Sequence, residues 1–194
     1  MFAIRRQLLA LIFLAATSTL AFAQFPLPTQ RQLEDNTPAQ VRELVSKYCR
    51  VNYEGTNLDP QAWSKVQPLV WWTSQPKYSR IDVVARYAVD TEPVSRGGKY
   101  VVTVHYRLLG TYDLVNGYVT EPVGTMQDVD YLVSSENAEW RVADAENTSP
   151  HPSRAAMLKW LNQQLPSAQD NATKERYQTA LKLLEAQPAS PFAK

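Results

Sequence analysis

Residues 100–108 read Tyr-Val-Val-Thr-Val-His-Tyr-Arg-Leu, and this stretch decides the fold class. Large apolar side chains occupy every second position, while Thr103, His105 and Arg107 lie on the alternate positions. Alternation with period two is typical of a β-strand that has one buried face and one solvated face. The stretch therefore predicts a long central strand, with Tyr106 among its inward-facing residues.

The segments on either side of this strand repeat the same pattern. Upstream, residues 81–89 alternate, and residues 95–98 (Ser-Arg-Gly-Gly) give a turn signal. Downstream, residues 124–133 and 139–142 predict two further strands. Consecutive strands joined by short loops are usually antiparallel neighbours. We therefore expect one antiparallel sheet of about four strands, which forms a sheet core over about residues 79–145.

Helical patterns precede and follow the sheet. Thr37 is expected to cap a helix over residues 38–54, and Asp59 a short second helix. Beyond the sheet, residues 153–164 and a segment that starts at Ser167 predict two more helices. The expected fold is α+β. Its N-terminal helices pack on a curved, cone-like antiparallel sheet, and a C-terminal helical hairpin follows.

The ends of the chain differ in character from this domain. Residues 1–23 have the basic start, the apolar centre and the Ala-Phe-Ala end of a signal peptide, so we expect cleavage after Ala23 and export, periplasmic or secreted. The alternative is an uncleaved membrane anchor, although the apolar stretch is short for a bilayer. Residues 24–36 are expected to form a loose leader, residues 37–186 a single domain with its C-terminal helices over about 153–186, and residues 187–194 a disordered tail.

The composition excludes several classes of function. The formal charge is +1, which gives no field suited to nucleic acid or an anionic membrane. Two His and one Cys cannot form a structural zinc site or an iron–sulfur cluster within one chain. With six Gly and no phosphate-binding loop, no cofactor is expected. Cys49 lies beside the apolar stripe of the first helix, so a buried structural thiol is expected there.

The tyrosines are the residues that indicate a function, because several of them are expected to face the core. Tyr48 on the first helix and Tyr87, Tyr106 and Tyr131 on the strands all fall on inward faces. A buried Tyr has a large apolar body, but its hydroxyl needs a polar partner. Several such residues that face one core indicate a partly hydrated pocket, with these four as the candidate ligand-binding residues. The alternative is that the rings simply fill the core.

The order of elements carries a resemblance. Helices followed by antiparallel strands that end in Glu139-Trp140-Arg141-Val142 resemble the nuclear transport factor 2-like superfamily of cystatin-like α+β folds. That superfamily includes polyketide cyclase-like and ketosteroid isomerase-like domains. The resemblance covers about residues 38–145. It implies a curved sheet that wraps around helices to form a cone with a mostly apolar cavity, but no particular activity.

We therefore expect a non-catalytic exported domain that binds a small hydrophobic ligand in a cone-shaped pocket. One alternative is an isomerase, cyclase or lyase that uses a buried carboxylate, with Asp128 and Asp130 as candidates, although a solvent-facing pair is the simpler interpretation. His105 is the other acid–base candidate, yet its polar strand face indicates a solvated surface. His151, between two prolines, is expected to shape a turn. The third alternative is a protein-interaction module, and a homodimer stays open.

Overall fold

The computed structural model describes residues 30–144 and 149–187, with side chains from residue 37 onward. The predicted signal peptide (1–23), the first part of the predicted leader (24–29) and the predicted tail beyond Gln187 lie outside these residues. Within the described residues no helix is long and apolar enough to cross a membrane.

The described part of the chain combines helices with a curled antiparallel sheet, which confirms the predicted α+β class. Its elements, in chain order, are α1 (Gln30–Tyr53), three 3₁₀ turns (Thr56–Leu58, Pro60–Lys65 and Gln67–Leu69), β1 (Arg80–Val89), β2 (Val94–Arg96), β3 (Lys99–Asp113), β4 (Gly117–Thr120), β5 (Met126–Glu136), β6 (Glu139–Val142), α2 (Arg154–Gln164), a 3₁₀ turn (Leu165–Ser167) and α3 (Asn171–Ala186). The C-terminal helical hairpin is confirmed, since α2 and α3 contact one another directly.

The sheet is built around β3. The hydrogen-bonded order is β1-β3-β5-β6, and the short strands β2 and β4 also pair with β3. Every pairing between these strands is antiparallel, and Tyr106 lies opposite both Tyr87 on β1 and Gln127 on β5. The β1–β3 register shifts on either side of Val84. Such irregularities bend a strand and increase its twist, so they favour the curl of the sheet.

One face of β3 is buried along most of its length, because every second residue from Val102 to Tyr112 is buried. Helix α1 covers the first half of this face, where Val45 packs with Val102 and Tyr106. Helices α2 and α3 cover the second half, where Met157 belongs to the same buried cluster as Tyr112. The core therefore has two parts along one continuous strand.

The first helix is longer than expected. It begins at Gln30, upstream of the predicted start at Thr37, and it continues through Pro38. Residues 30–34 (Gln-Arg-Gln-Leu-Glu) are good helix formers, which favours an earlier start. A proline inside a helix removes one backbone hydrogen bond and costs about 3 kcal/mol, so the cap-and-proline signal at Thr37 and Pro38 pointed to a start at that position.

Three smaller expectations also change. The predicted second helix is a series of 3₁₀ turns, although Asp59 does cap it by accepting from the Gln61 N–H at 2.9 Å. The last helix does not start at Ser167. It starts at Asn171, because the Asp170 carboxylate accepts from the Thr173 N–H at 2.8 Å and so satisfies a free donor of the first turn. Strands β2 and β4 were not predicted.

Candidate functional site

The four tyrosines predicted to bind a ligand lie together in the core. Tyr48, Tyr106 and Tyr131 are at most 2% exposed, and Tyr87 is half-buried. The Tyr106 and Tyr131 hydroxyls are hydrogen-bonded at 2.8 Å. The rings of Tyr48 and Tyr131 meet edge to face, with centroids 5.5 Å apart, and the Tyr87 ring lies 6.1 Å from that of Tyr106. The rings therefore pack against one another, and the two hydroxyls form a hydrogen bond with each other. Both kinds of contact are expected when tyrosines fill a core.

Cys49 joins this cluster, and its predicted burial is confirmed. The thiol is fully buried and unpaired, and its Sγ lies 3.3 Å from the Tyr106 hydroxyl. Burial raises the pKa of Cys49 to about 12. The sulfur therefore stays protonated at physiological pH and is a poor nucleophile.

His105 lies on the opposite, solvated face of the sheet, as expected. Its Nδ1 is 2.6 Å from an Asp128 oxygen, and its Nε2 is 3.0 Å from an Asp90 oxygen. The hydrogen bonds to Asp128 and then to Asp90 raise the pKa of His105. The ring therefore connects the residue after β1 to β5 across β3, on a partly exposed face of the sheet.

The carboxylates named for the enzyme alternative are not buried. Asp128 and Asp130 are both exposed, and Asp130 accepts a hydrogen bond from Thr103 at 2.7 Å. The buried carboxylate among the described residues is instead Asp82 on β1, which is fully enclosed. An enzyme that used a buried carboxylate in the described part of the chain would need Asp82.

Asp82 is held by charge and by hydrogen bonds. Its Oδ1 accepts from the Arg80 guanidinium at 2.6 Å and from the Thr111 hydroxyl at 3.0 Å. Its Oδ2 has no hydrogen-bond partner among the described residues, and it lies 3.9 Å from Nε2 of His151. Asp82 occupies a polar position in the alternating pattern of residues 81–89, which predicts a solvated side chain. Its pairing with His151 is not visible in the sequence, because the two residues are far apart in the chain. The consecutive valines at 83 and 84, which break the alternation, were the available signal.

His151 is a core residue and does not shape a turn. Its ring stacks on Tyr106 at 3.9 Å between centroids and 13° between planes, and Nε2 lies 3.2 Å from the Gln127 side-chain oxygen. Burial lowers the pKa of His151 to about 4, although the nearby Asp82 carboxylate opposes this shift. Asp82 and His151 are a carboxylate and an imidazole, the side-chain types that serve in general acid–base catalysis. Because they are at most 1% exposed, a substrate cannot touch either group in this conformation.

A separate apolar pocket opens at the surface between β4 and β5. It has a volume of about 50 Å³ and is lined by Ala85, Arg107, Leu108, Leu109, Val123 and Gln187, among others. Gln187 is fixed there, since its side-chain N–H donates to the Leu109 carbonyl at 2.9 Å and its side-chain oxygen accepts from Tyr118 at 3.2 Å. Leu108 and Leu109 are adjacent, so both faces of β3 carry a leucine at this point.

Residues 114–126, which we call the 114–126 segment, expose an unusual amount of apolar surface, and Val123 within this segment lines the pocket. Within the described residues its exposed large apolar side chains are Leu114 (40%), Val115 (75%), Val119 (59%), Val123 (83%) and Met126 (56%). Elsewhere in the described chain, exposed large apolar residues are Val94 and Leu183. The segment carries a single charged residue, Glu121. Clustered exposed apolar residues mark interaction or ligand sites.

No family model matches the chain, and neither a curated protein nor a solved structure matches it. Across residues 30–144 and 149–187, no group of three or more His, Cys, Asp or Glu side chains is arranged to hold a metal ion.

Proposed function

We propose that this protein is a non-catalytic binding domain that takes a small hydrophobic ligand, and that the ligand enters the pocket between β4 and β5. The observation that carries this proposal is the coincidence of an apolar pocket with the exposed apolar side chains of the 114–126 segment. Val123 belongs to both, because it lines the pocket and is also 83% exposed.

The pocket replaces the tyrosine cluster as the proposed binding site. The hydroxyls of Tyr106 and Tyr131 form a hydrogen bond with each other, so neither needs a ligand to supply a partner. The volume of about 50 Å³ also limits the ligand. An engineered cavity that holds benzene has a volume of about 150 Å³, so this pocket fits the end of an aliphatic chain better than a ring system. The remainder of such a chain would lie along the 114–126 segment.

The residues that line the pocket favour ligand binding without catalysis. Its ionisable side chains are Arg107 and Glu121, and neither His nor Cys is part of the lining. General acid–base catalysis and nucleophilic catalysis need a nucleophile or a base with a matched pKa near the bound molecule. The Asp82–His151 pair offers that chemistry, but it is enclosed in the core.

We also propose, from the sequence, that the chain is exported and belongs to the nuclear transport factor 2-like superfamily. The basic and apolar pattern of residues 1–23 supports export. The curled antiparallel sheet with α1 against its buried face supports the family proposal. A protein partner that inserts an aliphatic side chain, including a second copy of this chain, is the related alternative for the same surface.

The test is the binding of a linear fluorescent probe, the polyene fatty acid parinaric acid, to three folded proteins. Val123→Asp places a carboxylate at the mouth of the pocket, and we expect at least a tenfold loss of probe affinity, about 1.4 kcal/mol. Val94→Asp is the matched control, because Val94 is an exposed valine on β2 and does not line this pocket. Equal affinity of the Val123→Asp and wild-type proteins would contradict the proposal, provided that their unfolding midpoints agree.

A further inference from the structure

The segment 149–152, which we call the strap, runs beside the outer edge of β1. The Asp82 N–H donates to the Pro150 carbonyl at 2.9 Å, and the Val84 N–H donates to the Pro152 carbonyl at 3.0 Å. A parallel bridge between Val84 and Ser153 continues the contact. The strap therefore satisfies two backbone donors that an edge strand would otherwise present to solvent.

His151 fixes the strap to the core. Its backbone N–H donates to the Asn52 side-chain oxygen on α1 at 2.9 Å, and its ring lies flat on Tyr106 of β3. Nε2 faces the Gln127 side-chain oxygen on β5 at 3.2 Å. A side-chain amide oxygen accepts and does not donate, so this contact requires a proton on Nε2. His151 thus connects the strap to three elements of the fold, to α1 through its backbone N–H and to β3 and β5 through its ring.

The groups that face the ring compensate a second proton only in part, although a backbone hydrogen bond with Ser149 in the strap favours the charged ring. Asp82 on β1 is the nearby carboxylate, at 3.9 Å from Nε2, and its other oxygen is already engaged by Arg80. Tyr106 on β3 and Gln127 on β5 are uncharged, as is Asn52 on α1. A protonated ring would therefore add a net positive charge to a site with almost no solvent contact. Burying such a charge is costly, and the face of the Tyr106 ring offsets only part of that cost.

We propose that the strap opens when the pH falls. When the ring of His151 takes up a second proton, residues 149–152 leave the edge of β1, and the N–H groups of Asp82 and Val84 become free. Ser153 is the hinge. Its hydroxyl accepts from the Ala156 N–H at 3.1 Å and so caps α2, and its own N–H donates to the Tyr53 carbonyl at 2.8 Å. Both contacts can persist while the strap opens. This inference is independent of the proposed ligand site.

The size of the effect follows from the two states of the ring. The pKa of His151 is about 4 in the closed strap, against an ordinary value of 6.5 once the ring is in solvent. By linkage, the equilibrium constant for opening rises about 30-fold between pH 8 and pH 5. Carboxylates with ordinary pKa values stay mostly ionised in this interval, so the effect belongs to histidine.

The experiment is amide hydrogen exchange on the whole chain, followed by NMR and corrected for the pH dependence of the intrinsic rate. We expect the protection factors of the Asp82 and Val84 amides to fall about 30-fold between pH 8 and pH 5. At pH 5 these amides should also exchange faster than those of Val104 and Tyr106 in the middle of β3. Equal exchange of strap-bound and β3 amides at every pH would overturn the proposal, because it would show that the edge opens only by global unfolding.

The chain contains two histidines, which supplies a matched control. His105→Gln should leave the 30-fold change at Asp82 and Val84 intact, whereas His151→Gln should remove it. If His105→Gln removed the change, the proposal would be wrong. A direct titration of the wild-type His151 ring by NMR covers the case in which His151→Gln does not fold. A ring pKa near or above 6.5 would likewise overturn the proposal.

Discussion

Replacing Tyr106 with Phe removes one hydroxyl from the centre of the core and tests whether the tyrosine cluster is filled. The Tyr106 hydroxyl contacts the Tyr131 hydroxyl at 2.8 Å and the Cys49 sulfur at 3.3 Å. Within the described residues, the Tyr131 hydroxyl has Tyr106 as its hydrogen-bond partner. Tyr106→Phe therefore leaves the Tyr131 hydroxyl buried without a partner, while Tyr131→Phe leaves Tyr106 with Cys49.

The two single substitutions should differ for this reason. A buried hydroxyl without a partner costs about 1–3 kcal/mol, so Tyr106→Phe should lower the free energy of unfolding by that amount. Tyr131→Phe should cost about 0.5–1.5 kcal/mol, the value of a typical hydrogen bond. The double variant removes both hydroxyls and keeps the shape of the core. Its cost should be no larger than that of Tyr106→Phe alone, which gives a coupling of about 1 kcal/mol between the two sites.

The assay is urea unfolding of the wild-type protein, both single variants and the double variant. Tyr100→Phe serves as the control, because Tyr100 is half-buried against Trp140 with ring centroids 5.3 Å apart, and we expect a change within about 0.5 kcal/mol. Additive costs for Tyr106→Phe and Tyr131→Phe would contradict a direct hydrogen bond between the two hydroxyls. They would show that each hydroxyl has its own separate partner, as in a hydrated cavity.

Three further outcomes are expected. Gly110→Ala should lower the free energy of unfolding by about 2 kcal/mol in a urea titration, because a Cβ at this position would overlap the Tyr118 hydroxyl; an unchanged midpoint would contradict that packing. The pKa of His105 is raised chiefly by its hydrogen bond to Asp128, so this stabilisation is complete below the unfolded pKa of 6.5 and is lost as the pH rises through the folded pKa. Wild-type protein should therefore exceed His105→Gln in stability by more at pH 6 than at pH 9, and an equal difference at both pH values would be the opposite result. Asp170→Ala should cost about 1 kcal/mol in thermal unfolding, because the first turn of α3 loses its cap; no loss would show that the cap is unimportant.

The sequence predicts most of the fold because most of its strands and helices carry local signals. Alternation in residues 100–108 identifies β3, and the order β1-β3-β5-β6 follows from short connections between neighbouring strands. Ser153 caps α2 as its position before the apolar stripe indicates. The short strand β2 has three residues, too few to establish an alternating pattern. The paired Gly97 and Gly98, both at positive φ, mark its turn.

The site is less predictable, because its residues are brought together by the curl of the sheet. Ala85, Leu109, Val123 and Gln187 line one pocket from four separate parts of the chain. Ala85 lies at the shifted register next to Val84, and single-sequence alternation does not show a shift of register. The pairing of Asp82 with the strap is hidden because the two segments are far apart in the chain. Inward-facing tyrosines could be identified from their strand positions, but whether they enclose space depends on packing.

If a hydrophobic ligand binds between β4 and β5, methyl NMR with decanoate below its micelle concentration should locate it there. We expect the methyl signals of Leu108, Leu109 and Val123 to shift together with added decanoate, while those of Val45 and Val104 beside the tyrosine cluster stay fixed. Shifts centred on Val45 and Val104, or no saturable shift at Leu108, Leu109 and Val123, would show that the ligand does not bind between β4 and β5.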